Sequence, residues 1–255
     1  MLPVLALSKV HYAKVEPYDR VTLKSSVNAL VLEADKKWEG LNINGVRVIH
    51  LDDKLDKINL ADTTKSIKLL EEMVEINSKI ASTLKQSVKR QKGYFERISK
   101  LSTASKTQKD NAYSSYSTIQ TQYLGIKEKL LSLKKQLIDL RYAKVRLEDL
   151  IDKKNIFLKD KYLYSLLVRE GDFVGMGTPL MIVDDISKGK LVLYLDAEEL
   201  DGIENKTVYI NSKKTDYKVA KIWRETDSQF ISSYKVEIYI DAPKRFSTLL
   251  KVEIR

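Results

Sequence analysis

The sequence predicts an α+β fold in which a long antiparallel coiled-coil α-hairpin is inserted into a β-domain. Three observations predict it. Two segments with a heptad-like repeat of apolar residues extend from about Ile58 to Ile151. The regions on either side consist of short β-branched runs separated by turn residues. The chain has only four prolines and none between Pro17 and Pro179, which leaves room for uninterrupted helices.

The second heptad segment is the more regular one. Its apolar positions alternate steps of four and three residues, a spacing that keeps one side of a helix turned toward a partner helix. Only Lys144 is charged in the series that we predict to form the seam: Ala112, Tyr116, Ile119, Tyr123, Ile126, Leu130, Leu133, Leu137, Leu140, Lys144, Leu147 and Ile151.

The first heptad segment predicts a helix of about 40 residues, ~60 Å long at 1.5 Å per residue. Its series has one slip between Ile80 and Leu84, and it comprises Leu69, Met73, Ile76, Ile80, Leu84, Val88, Gln91, Phe95 and Ile98. Residues 101–107 are rich in Ser and Thr, which favour helix ends, and we place the turn there. Two helices of near-equal length joined by a short turn pack antiparallel.

The flanking regions are predicted to be β-structure. Before the hairpin, strands are predicted at residues 21–27, 29–34 and 46–51. After it, strands are predicted at residues 162–168, 191–195, 207–210, 218–222 and 235–240. Short, evenly spaced strands with turns between them are typical of a small sandwich or barrel.

The two β-regions share an internal repeat. Residues 39–45 and 170–177 both read Glu-Gly, an apolar position, a second glycine and then an apolar strand. Glycine readily adopts positive φ, so we predict paired turns at Gly40, Gly45, Gly171 and Gly177. Two such half-motifs form a pseudo-symmetric flattened barrel, as in biotinyl and lipoyl carrier domains.

With a hairpin between the half-motifs, the sequence resembles the HlyD-like membrane fusion proteins, the periplasmic adaptors of tripartite efflux pumps and type I secretion systems. The resemblance covers roughly residues 15–255 and is strongest from Val168 to Leu180. It implies an elongated protein with a split lipoyl-like (barrel-sandwich hybrid) β-domain at residues 21–56 and 157–184. Residues 57–156 would form the hairpin, and residues 10–20 with 185–255 a small antiparallel β-barrel.

The resemblance also implies a binding site and partners. The family's hairpin tip carries an Arg, a Leu four residues later and a Ser seven residues beyond. Here Arg97 and Leu101 keep that spacing, while Ser105 follows Leu101 by four residues, in a tip about three residues shorter. The implied partners are an outer-membrane channel protein of the TolC type, an inner-membrane pump of the RND or ABC type, and further copies in a hexameric ring. The implied location is the periplasm.

Composition argues against catalysis and nucleic-acid binding. There is no cysteine, and the two histidines, His11 and His50, lack ligand-spaced neighbours. No phosphate-binding or nucleophile motif occurs, so we predict no enzyme activity, catalytic residue, metal site or cofactor. The net charge of +10 comes from lysines spread along the chain without interleaved aromatic residues, so no nucleic-acid partner is predicted.

Two further interpretations concern the hairpin. Asp53-Lys54 resembles the modified Asp-Lys of lipoyl carriers, and a carrier subunit would show a covalent mass increment on Lys54. A coiled-coil scaffold without a transport role would be cytoplasmic and have no channel partner. Residues 1–8 are interpreted as a signal-peptide remnant, because a short apolar run precedes Ala6-Leu7-Ser8, with a buried first strand as the alternative.

Overall fold

A computed structural model describes residues 9–226 and 229–255. The predicted signal-peptide remnant at residues 1–8 lies outside the described residues. The chain divides into two compact units, one formed by the residues up to Asp52 and from Lys154 onward, the other by Asp53–Lys153. The first unit is built of antiparallel strands and the second is a helical hairpin. The predicted α+β fold with an inserted hairpin is confirmed.

The hairpin interrupts the β-structure, since it lies between the strands Val46–Leu51 and Asn155–Leu158. The helices are α1 (Lys54–Lys100), α2 (Lys106–Lys154) and α3 (Ala197–Leu200), with 3-10 turns at Lys36–Trp38 and Ile203–Asn205. The strands are β1 (Val10–Lys24), β2 (Ala29–Ala34), β3 (Asn42–Ile43), β4 (Val46–Leu51), β5 (Asn155–Leu158), β6 (Lys161–Leu166), β7 (Phe173–Val174), β8 (Pro179–Leu195), β9 (Val208–Ile210), β10 (Lys213–Lys214), β11 (Val219–Thr226), β12 (Tyr234–Asp241) and β13 (Leu249–Ile254).

Two long strands, β1 and β8, organise the first unit. They pair antiparallel in two stretches separated by an irregularity between Pro17 and Asp19. The larger sheet runs β10-β9-β13-β1-β8-β12-β11, with β6 also on β8, and the smaller one runs β5-β4-β2-β7. Both long strands pass through the predicted border between the lipoyl-like and barrel domains. The division into these two domains stays a prediction.

The barrel part has a tightly packed core. Val15, Leu191, Leu193, Val236 and Ile238 are among its buried members. Gly189 lies where β1 and β12 approach β8, and a Cβ atom there would stand 2.8 Å from Cγ1 of Ile240. Strand β13, which pairs with β1 and β9, was missed in the sequence, although Leu250–Ile254 alternates apolar and charged residues as a strand does.

The two half-motifs exchange equivalent backbone hydrogen bonds. The Gly40 amide donates to the Leu163 carbonyl at 2.8 Å, and the Leu163 amide donates to the Leu41 carbonyl at 3.0 Å. The Gly171 amide likewise donates to the Val31 carbonyl at 2.9 Å, and the Val31 amide donates back to Asp172 at 2.8 Å. Each half therefore fastens its Glu-Gly turn to a strand of the other half.

All four repeat glycines adopt positive φ, at +80° for Gly40, +71° for Gly45, +90° for Gly171 and +86° for Gly177. Residues with a Cβ atom rarely adopt positive φ, which is why glycine recurs at the turns of both half-motifs.

The seam predicted for α2 is confirmed. Every one of its twelve positions is buried or partly buried, and Ala112 and Leu133 are the most enclosed at 3% and 5% exposed. A heptad repeat without a slip allows one face of α2 to pack along α1 for its full length. The predicted coiled coil is therefore confirmed.

The seam predicted for the first half of α1 is wrong by one residue. Leu69, Met73, Ile76 and Ile80 are 41–62% exposed. The packed positions are instead Leu70, Val74, Asn77 and Ala81, followed by Leu84. This series continues to Ile98 in steps of four and three without any slip. Because it includes a buried Asn and a small Ala, the more apolar neighbouring series was the stronger signal in the sequence.

The hairpin bounds differ slightly from those predicted. Helix α1 begins at Lys54, and α2 ends at Lys154, before β5. The helices have 47 and 49 residues and are therefore each ~70 Å long. No helix among the described residues carries an apolar stretch that could cross a membrane.

Candidate partner-binding site at the hairpin tip

The tip is a five-residue connection, Leu101–Ser105, between α1 and α2. Ser105 begins the second helix. Its Oγ accepts a hydrogen bond from the Gln108 amide at 3.2 Å, and the Gln108 side chain accepts one from the Ser105 amide at 2.9 Å. This is a capping box, in which two side chains accept hydrogen bonds from two backbone N–H groups that have no acceptor within the helix. The spacing Ser-x-x-Gln was the sequence signal for it.

Leu101 ends the first helix. It adopts an extended conformation, and its amide donates to the Ile98 carbonyl at 3.2 Å. Its side chain is 49% exposed at the end of the hairpin. A half-exposed leucine on a turn contributes little to the seam and is available to another apolar surface.

Arg97 lies one turn before Leu101 on the same side of α1. No acidic side chain of the described residues lies within 4.0 Å of it, so its guanidinium group is available to an external acceptor. The residue belongs to the last turn of α1, where a cation also interacts favourably with the helix dipole. One surface depression here is lined by Lys89, Arg90, Gly93, Tyr94, Arg97 and Ser115.

An aromatic cluster joins the two helices below the tip. The ring of Phe95 stacks on Tyr116 with centroids 6.2 Å apart, and it meets Tyr113 at 5.5 Å with a tilt of 59°. Such ring pairs contribute about 0.5–1.5 kcal/mol beyond the area they bury. They fix the tip on a rigid pair of helices, which limits the entropy lost when a partner binds.

The two helices differ in charge near the tip. From Lys85 to Lys109 there are eight basic residues and one acid, Glu96. From Asn111 to Ile126 the chain has no charged residue and is rich in Ser, Thr, Gln and Tyr. The tip thus presents cations beside a surface of uncharged hydrogen-bonding groups.

Arg97 and Leu101 lie on the same side of α1, one turn apart, and Nη1 of Arg97 is directed back along the helix toward Gly93. Ser105 lies across the turn, where its hydroxyl group is engaged in the cap. The four repeat glycines belong to the first unit, where they form the turns described above. Whether these residues bind a partner stays a prediction.

Other chemistry has little support in the described residues. They contain no group of three or more His, Cys, Asp or Glu side chains placed to hold a metal ion. Nε2 of His11 lies 2.8 Å from Oε1 of Glu199 in a partly buried hydrogen-bonding contact. Lys54 is the first residue of α1 rather than the tip of a β-turn, where a carrier lysine would need to be.

Comparison with solved structures identifies the fold. MacA from Actinobacillus actinomycetemcomitans superposes with a TM-score of 0.67 at 14% identity, over 98% of this chain and 79% of that one. A MacA-MexA chimeric protein containing the Pseudomonas aeruginosa MexA α-hairpin domain gives 0.64 at 14% identity, over 97% and 81%. The membrane fusion protein Spr0693 from Streptococcus pneumoniae R6 gives 0.61 at 10% identity, over 97% and 99%.

Sequence comparison adds no nearer relative: no family model matches the chain, and no curated protein matches it. At 10–14% identity, the structural similarity establishes a shared fold and leaves function to be argued from the site. The resemblance to membrane fusion proteins is thus confirmed for the architecture, and this chain has the membrane-fusion-protein fold.

Proposed function

We propose that this chain is a periplasmic adaptor that links an inner-membrane pump to an outer-membrane channel. The observation that carries the proposal is the insertion of a ~70 Å helical hairpin between two half-motifs that fasten each other by exchanged hydrogen bonds. This arrangement holds both ends of the hairpin in one β-unit and leaves its turn as a docking point. The role is structural rather than catalytic.

The proposed partners are those that the resemblance to membrane fusion proteins implies. The hairpin tip would bind a channel of the TolC type, with Leu101 supplying an apolar contact and Arg97 a charge-assisted hydrogen bond. Ser105 would act mainly by setting the start of α2. The β-unit would contact an inner-membrane pump of the RND or ABC type. Copies would assemble into a hexameric ring in the periplasm.

The test replaces Leu101 with Asp in cells. Deletion of the gene first defines the exported compound as one that accumulates in the mutant strain. We expect the wild-type gene to restore export and Leu101→Asp to fail, because a carboxylate at the apolar contact would be desolvated without a partner. Accumulation of the compound is the readout, and protein level and helical circular dichroism should be unchanged.

Gln86→Asp is the matched control, because it adds the same charge at an exposed position of α1 away from the tip. It should restore export fully. Normal export by a well-expressed Leu101→Asp variant would contradict the assignment of the tip.

A further inference from the structure

Eight of the exposed apolar residues of the hairpin form two stripes. On α1 the stripe consists of Leu69, Met73, Ile76 and Ile80, which are 41–62% exposed and recur in steps of four and three. On α2 it consists of Leu124, Leu131, Ile138 and Val145, which are 54–67% exposed and recur every seven residues. Scattered surface leucines are ordinary, but two periodic series along rigid helices are not.

The two stripes lie on opposite flanks of the hairpin. With the seam lettered a and d, the α1 stripe occupies positions c and g, and the α2 stripe occupies position b, beside e. Glu71 and Arg141 are both e residues, and their salt bridge of 2.8 Å places the two e positions on one flank. Tyr94 and Ser115 are both g residues, and they line one depression on the other flank.

The two stripes also lie at the same height along the hairpin. Glu71 is level with Arg141 and Phe95 with Tyr116, so residue numbers at one height add up to 211 or 212. By this relation Met73 is level with Ile138, and Ile80 is level with Leu131. Identical hairpins standing side by side without a shift would therefore bring the α1 stripe of one against the α2 stripe of the next.

The charges agree with such a contact. Positions c and g of α1 carry no charged residue from Ser66 to Ser87, at the height where Lys127, Lys134 and Arg141 occupy the e positions beside the α2 stripe. Nearer the tip Arg90 lies on the α1 flank, level with the uncharged part of α2. Cations of one flank would thus meet hydroxyl, amide or apolar groups rather than like charges.

The size of the contact limits its strength. The shorter stripe is ~16 Å long and the longer ~32 Å, and a helix is about 10 Å wide. The stripes overlap over the length of the shorter one, so the contact would bury roughly 160 Å² on each side, well below the ~800 Å² per partner of a stable complex. Two isolated copies should therefore associate weakly, and closure of a ring, in which every copy makes two contacts, would be needed for persistence.

We infer that the two stripes are the two halves of a head-to-tail contact between copies of this chain. The inference rests on the proposed function in that it specifies the surface by which the ring forms. A contact between two different surfaces closes into rings, whereas a two-fold dimer would place each stripe against its own copy. In the first arrangement Lys127 and Lys134 meet an uncharged row of α1, whereas a two-fold contact through the α2 stripe would set these lysines against their own copies.

Disulfide trapping tests this directly, because the chain has no cysteine of its own. The double variant Met73→Cys with Ile138→Cys is purified and treated with a mild oxidant at high protein concentration. A disulfide requires Cα atoms within about 7 Å, so opposite flanks of one hairpin, each helix about 10 Å across, cannot be joined within a copy. We expect a ladder of cross-linked species beyond the dimer, and monomers from either single variant.

The matched control is Lys79→Cys with Lys135→Cys, a pair at nearly the same height on the outward faces of the two helices. It should give no ladder. An equal ladder from the control pair, or dimers from Met73→Cys alone, would overturn the inference, as would the absence of any cross-link from the double variant. The experiment uses no pump or channel, so its failure is distinguishable from normal export by Leu101→Asp.

Discussion

Asp185 on β8 shows how single ion pairs tie the strands of the first unit together. Its carboxylate accepts a hydrogen bond of 2.9 Å from Nζ of Lys161 on β6 and another of 3.0 Å from the Ser187 amide. These contacts, that from Lys161 foremost, lower the pKa of Asp185 from 3.8 to about 2. A depressed carboxyl pKa means that the ionised form stabilises the folded chain.

Asp185→Asn should therefore lower the free energy of unfolding by an amount that depends on pH. Near neutral pH we expect a decrease on the order of 1 kcal/mol, because the ion pair of Asp185 and Lys161 is partly exposed to solvent. The contribution is complete above the unfolded pKa of 3.8 and is lost as the pH falls through about 2. Urea unfolding of both proteins across this range measures the difference. A difference that stays constant with pH would contradict the assignment.

At the scale of the elements, Asn77 is the polar member of the α1 seam. It is 6% exposed, and its side-chain amide donates to the Met73 carbonyl at 2.7 Å. By height it lies opposite Leu133, which is also buried. A buried Asn in a coiled-coil seam specifies register at a cost in stability.

Asn77→Leu is expected to stabilise the hairpin by about 1 kcal/mol, because a leucine would add apolar burial at the seam. The midpoint of denaturant unfolding, followed by circular dichroism of the helices, measures the change. Asn59→Leu, the same substitution at an exposed position of α1, should leave the midpoint unchanged. A lower midpoint for Asn77→Leu would show that the seam depends on the amide.

The same residue explains what the sequence could and could not predict about the helices. The α2 seam was predicted throughout because each of its positions except Lys144 is apolar. In α1, Asn77 and Ala81 make the packed series less apolar than the exposed stripe that begins at Leu69. The exposed stripe was therefore predicted as the seam. The irregular step from Ile80 to Leu84 was the available sign of the error, since a continuous seam needs no slip.

For the whole molecule, the repeat of the two Glu-Gly turns predicted the architecture. The propensities of the single strands were not sufficient to predict it. Short strands such as β3 and β7 have two residues each and no periodicity. They form because the two half-motifs bond to each other across more than a hundred residues of sequence. The site was less predictable from the sequence. Arg97 and Leu101 lie on the same side of α1, as their spacing predicts. The role of Ser105 as the cap of α2 could not be predicted, because it depends on where the shortened turn ends.

The proposed contact between the hairpin tip and an outer-membrane channel can be tested in living cells. A photo-cross-linking amino acid is placed at position 101 of the full chain, with position 86 as the control and mass spectrometry to identify the adducts. We expect an adduct with an outer-membrane channel protein from position 101 alone. Adducts confined to cytoplasmic proteins, or the same adducts from both positions, would contradict it.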